Sequence, residues 1–149
     1  MDSKGQISAE YLFLILIFLI ILGSVTVPLA GKSISSSMNV SVTSDAKTAV
    51  STIANAVDVV YANGPQAIRT VNVYFPQDTT LSFNSGSLFL NLNGVSYTNG
   101  AQKATVNSSV PYNNITIVNT TINKGWHNIQ VTWPVLGNTG NNIIITVLN

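Results

Sequence analysis

From Tyr11 to Leu22 every side chain is aliphatic or aromatic, and no charge appears before residue 31 once this run has begun. Twenty helical residues at about 1.5 Å each span roughly 30 Å, the thickness of a bilayer's hydrocarbon core. Gly23, Pro28 and Gly31 follow on the same path, and a proline there removes one internal hydrogen bond and favours a kink. Residues 31–45, GKSISSSMNVSVTSD, are weak helix formers. Periodicity then returns: Ala46, Val50, Ile53, Val57 and Val60 recur at the spacing of one helix face, with Asp45, Lys47 and Asp58 off it. Asn63-Gly64-Pro65 supplies the stop. The pattern predicts one long helix over 6–62, apolar on all sides over 6–30 and amphipathic over 31–62, bent or loosened between Pro28 and Ser44.

Beyond Pro65 the period changes to two. IRTVNVYF (68–75) reads as a strand, closed by Pro76. SLFLNLNGVSYT (87–98) reads as two strands joined by Asn93-Gly94, a favoured two-residue turn, so that Leu92 faces Val95 and Leu90 faces Tyr97. NITIVNTTI (114–122) is rich in β-branched residues. WHNIQVTW (126–133) alternates, with His127, Ile129, Val131 and Trp133 on one side, and IIITVL (143–148) has the make-up of a strand buried on both faces. The fold class expected is α+β: a long N-terminal helix whose second half packs against a C-terminal antiparallel β-sheet domain, residues 65–149. Some 85 residues of β structure make a small core, and wrapping it on the helix lets each bury the other.

Composition sharpens this picture. Only 7% of the residues are charged, against about 25% in an ordinary soluble domain, and the net charge is +1. Polarity comes from 18 Asn, 16 Ser and 15 Thr. No basic footprint points to nucleic acid. With no cysteine there is neither a disulfide nor a thiolate nucleophile.

The apolar run has three readings: a secretory signal removed after it, an anchor kept in the membrane, or a segment left at the front of the mature protein by an earlier cut. Small-x-small cleavage sites near its end are poor, since Pro28 stands two before Ala30 and Leu29 two before Gly31. Lys4 before the run and a long polar remainder after it put the N-terminus in the cytoplasm by the positive-inside rule. Glu10 is the anomaly, a carboxylate at the mouth of hydrocarbon. At mid-bilayer a charge costs about 2.5–3.5 kcal/mol on insertion scales, less near the interface. Either it has a partner, or it is an interfacial residue just outside the lipid.

KGQISAEY, residues 4–11, resembles the class III signal peptide of archaeal type IV pilin precursors, whose motif reads Lys-Gly-Gln-x-Ser-x-Glu ahead of an apolar helix. Lys4, Gly5, Gln6, Ser8 and Glu10 stand at its fixed positions. The resemblance covers residues 4 to about 30 and favours the third reading. It implies that a prepilin peptidase cuts between Gly5 and Gln6, leaving residues 1–5 as the leader and Glu10 as fifth residue of the mature chain. It implies, too, that Glu10 aligns an incoming subunit. Tyr11, Leu12, Phe13, Leu14, Ile15, Leu16, Ile17 and Phe18 would begin the helix that forms a filament core. The partners implied are the membrane, for the precursor, the pilus assembly machinery and further copies of the chain in a helical homopolymer. The expected product is an extracellular pilus subunit serving adhesion. The alternative is a minor pilin-like or membrane-anchored surface protein whose β domain binds a ligand such as a glycan.

Other chemistry is sparse. Asn39, Asn107, Asn114 and Asn119 each open an Asn-x-Ser/Thr sequon. Single sequons arise by chance in so Asn- and Thr-rich a chain, yet three lie between 107 and 119, which points to a glycosylated outer face. His127 reads as a packed or edge residue rather than a ligand. Asp2, Asp45, Asp58 and Asp78 lack metal-ligand spacing. Trp126 and Trp133 read as core or sheet-surface aromatics, with sugar stacking by Trp126 as the alternative. No catalytic triad order, phosphate loop or carboxylate pair is found, so neither an enzyme nor a cofactor is expected.

Overall fold

A computed structural model of the chain describes residues 3–95, 103–135 and 142–148. Among the described residues one helix, α1 (Ser3–Asn63), precedes eight strands: β1 (Ile68–Phe75), β2 (Thr79–Asn84), β3 (Ser87–Asn93), β4 (Lys103–Ser109), β5 (Ile115–Val118), β6 (Thr121–Ile122), β7 (Gly125–Thr132) and β8 (Ile143–Leu148). The fold is the expected α+β arrangement of a long apolar helix and an antiparallel-rich β domain. The chain divides into two compact units, Met1–Met38 and Asn39–Asn149.

The first unit is helical through Pro28, and every described side chain from Ala9 to Met38 is exposed. The Ser- and Thr-rich stretch is helical as well. Its hydroxyls bond back to carbonyls one turn earlier: Ser35 to Gly31 at 3.0 Å, and in the second unit Thr43 to Asn39 at 2.8 Å. A hydroxyl satisfied in this way no longer competes with the helix for backbone groups, although such bonding slightly favours bending.

In the second unit, Ala46, Val50, Ile53, Val57 and Val60 are buried as their period requires. Ala49, Ala54 and Ala56 are buried too, so the covered stripe is wider than the sequence face. Small side chains on these flanks let strands approach closely from more than one direction. The helix ends where expected: Gly64, at φ +80°, donates its N–H to the Val60 carbonyl at 3.1 Å.

The eight described strands form two four-stranded sheets, ordered β1-β7-β8-β5 and β4-β3-β2-β6. Every pairing is antiparallel except β5 with β8, which is parallel. Phe75, Leu81, Leu88, Leu90, Leu92, Ile122, Ile129, Ile143 and Ile145 fill the core with Val50, Ile53 and Val57 of the helix. β1 and β8 match their expected ranges. β8 buries Ile143, Ile145 and Val147 on one face, while Ile144 and Thr146 on the other are half-buried.

The hairpin expected at Asn93-Gly94 is not formed. Leu92 is flanked by Thr79 on β2 and Ala104 on β4, and Leu90 by Leu81 and Val106. Both edges of β3 are therefore occupied by β2 and β4, and Leu92 does not face Val95. Ser96, Tyr97 and Thr98 lie outside the described residues. The tight turn is instead Ser85-Gly86, at φ +47° and +74°, joining β2 to β3 with Asn84 opposite Ser87. Two successive positive φ values are the requirement of a type I′ turn, and here serine takes the first. The β-branched segment 114–122 holds two strands. Asn119, at φ +60°, breaks it, so that β5 joins one sheet and β6 the other.

Candidate functional site: the apolar helix and the exposed faces

Tyr11 to Leu22 are each between 44 and 66% exposed, on every side of α1. Val25, Val27, Leu29, Ile34, Met38 and Val40 continue the exposure. A helix apolar all round is stable only in lipid or packed among other proteins, because in water each of these side chains keeps its hydration cost. The helix is long and apolar enough to cross a membrane. Glu10 is exposed and immediately precedes this run. Lys4, Gly5, Gln6 and Ser8 are helical. Five residues at the front of the chain thus meet twelve apolar ones on one rod.

The sequons differ in exposure and in the hydrogen bonds around them. Asn107 is exposed on β4, and its carbonyl accepts a hydrogen bond from Lys47 Nζ. Asn114 is exposed just before β5, and its carbonyl accepts from the Ile143 N–H at 2.9 Å. Asn119 donates its Nδ2, the atom a glycan would occupy, to the Val147 carbonyl at 3.3 Å. Asn39 is half-buried on α1.

His127 lies on the buried side of β7 and pairs by Nε2 with the Asn123 carbonyl at 2.9 Å, its ring edge-on to Phe75 at 5.9 Å. Trp133 is buried and stacks on Tyr61 at 5.9 Å. Trp126 is the opposite case, 68% exposed with its ring 5.4 Å from Tyr74. Among the described residues no group of three or more His, Asp or Glu could hold a metal ion. Nothing in the sequence singles out Tyr74, Asn72, Thr48 or Thr52. They gather near Trp126 only through strand register and the path of α1, which no local pattern announces.

No curated protein and no solved structure matches this chain. Residues 3–29 match the Class III signal peptide family. Such a segment implies processing by a prepilin peptidase and handling by pilus assembly machinery, with a membrane-anchored precursor. The front of the molecule matches the class III signal peptide model, which is consistent with a type IV pilin precursor and points to a pilin-like protein that is exported and assembled.

Proposed function

We propose that this chain is a structural subunit of an archaeal type IV pilus, without enzymatic activity. The observation that carries the reading is the helix from Tyr11 to Leu22, exposed on all sides and headed by Glu10, within a matched class III signal peptide. The precursor sits with its N-terminus in the cytoplasm. Cleavage between Gly5 and Gln6 removes the leader, and the helix then leaves lipid for a bundle of identical helices. Contact between identical subunits is head-to-tail and does not close, so it yields a filament. Glu10 meets a hydrogen-bond donor or cation of a neighbouring subunit, which removes the penalty of an unpaired charge near hydrocarbon.

The β unit coats the shaft. Its outer surface carries neutral ladders such as Thr80–Asn91–Thr105, with side-chain bonds of 3.3 Å, in place of charges. Asn107 and Asn114 are the glycan acceptors of this coat, and contact with surfaces is the service it performs.

N-terminal mass spectrometry of the cell-surface protein tests processing. A mature chain beginning at Gln6 is expected; one retaining Met1, or beginning after Ala30, overturns the reading. Sheared filaments must then contain the chain. Its confinement to membranes would indicate a tethered surface module instead.

A further inference from the structure

Where α1 passes the edge strand β1, the second unit carries an open groove of about 390 Å³, lined among others by Asp45, Thr48 and Thr52 of the helix and by Asn72, Tyr74 and Trp126 of the sheet. This lies within the roughly 300–1,000 Å³ of small-molecule sites. Trp126 and Tyr74 are cross-strand partners in the β1–β7 register, and their rings form a tilted aromatic pair at the groove. An indole so exposed keeps a large apolar face in water, where it contributes nothing to the core.

The polar lining is unbalanced in a way that specifies a ligand. Thr48 donates its hydroxyl proton to the Ser44 carbonyl at 3.0 Å, and Thr52 donates its own to the Thr48 carbonyl at 2.8 Å. Both hydroxyls therefore have only lone pairs to offer a ligand. Asp45 adds a carboxylate. Asn72 donates one amide proton to Asn128 Oδ1 at 2.9 Å, which orients the side chain and leaves its oxygen and second N–H. Acceptors outnumber donors, and among the described residues no lysine, arginine or histidine lines the groove. An anionic ligand would face Asp45 unpaired. A quaternary ammonium such as choline would meet the carboxylate and the rings, but its nitrogen carries no N–H for the neutral acceptors spread along the helix. A ligand with many hydroxyl donors and a flat C–H face meets both halves of the lining.

We propose that this groove binds a neutral saccharide, stacked on Trp126 and Tyr74 and held through its hydroxyls by Asp45, Thr48, Thr52 and Asn72. The site belongs to the β unit and its helix and does not rest on polymerisation, so its failure would leave the assembly reading untouched. The test uses the full chain in a polyoxyethylene detergent, whose headgroup carries neither sugar nor ammonium. The probes are neutral oligosaccharides (maltotriose, cellotriose, chitotriose and mannotriose), with sialyllactose and choline as charged comparators, read by tryptophan emission and saturation-transfer NMR.

At least one neutral probe is expected to saturate with a Kd of about 1 mM or tighter. Trp126→Ala should weaken it by about tenfold, as loss of a stacking partner does, and Asp45→Asn by a smaller factor. Trp126→Phe should restore part of the binding, and circular dichroism should show all three variants folded. The proposal is overturned if no neutral probe saturates by about 10 mM, if Trp126→Ala binds as the parent does, or if choline or sialyllactose binds equally well.

Discussion

Glu10 shows what one side chain decides in this molecule. It is exposed beside twelve apolar residues and, on the assembly reading, gains its partner only from another subunit. Glu10→Ala should therefore leave processing intact while sharply reducing filaments, measured by N-terminal mass spectrometry and by electron microscopy of sheared material. Loss of cleavage in this variant would place the role in peptidase recognition instead. Within the β unit, Gly86 carries a different constraint. Its φ is +74°, and an added Cβ would lie 2.9 Å from Asn113 Oδ1. Gly86→Ala should cost about 1–2 kcal/mol from backbone conformation alone, read by denaturant unfolding. Ile53 is wholly buried where helix meets strands, so Ile53→Ala should cost about 2–5 kcal/mol.

Among the elements, those with one strong period were legible. The helix face from Ala46 to Val60, the stop at Gly64 and the strand β1 follow from spacing, because a buried stripe or alternation needs no partner to be recognised, while β8 follows from its apolar, β-branched make-up although only one of its faces is fully buried. β2 and β4 were not read as strands. TTLSFN and KATVNSS mix apolar residues with many hydroxyls and amides, and only pairing with β3 makes them strands. Asn93-Gly94 carried the stronger local turn signal, yet the fold turns at Ser85-Gly86, since β3 gains more from two flanking strands than from one short hairpin. The apolar front and its Glu10 were legible from composition and motif. The Trp126 groove was not, because Asp45 and Asn72 meet only in three dimensions. β8 also sets an expectation of its own. It lies between antiparallel β7 and parallel β5, so removing residues 143–149 should abolish the protease-resistant β unit rather than trim it. Limited proteolysis of the truncated chain checks this.

For the molecule as a whole, the absence of charge governs behaviour. Six cations and five anions are spread over 149 residues, and the segment assigned to assembly, Tyr11 to Ala30, holds none. Filaments held by that segment should be indifferent to about 1 M salt, which screens ion pairs at about 3 Å. They should fall apart in detergents that replace one apolar surroundings by another. Sedimentation of sheared filaments in the two conditions measures the contrast; dissociation by salt would point to exposed ion pairs, rather than the apolar segment, as the main contact between subunits.

The place of β8 also orders events in time. Its neighbours in the sheet were synthesised earlier, β5 some thirty residues before it and β7 more recently, and neither has its full set of backbone partners until residue 148 arrives. On the assembly reading, with the N-terminus held inside, the outer unit crosses the membrane as an unfinished chain and closes only when that late strand follows. Speed of export, rather than any local propensity, would then set how long its apolar interior stays open to wrong partners.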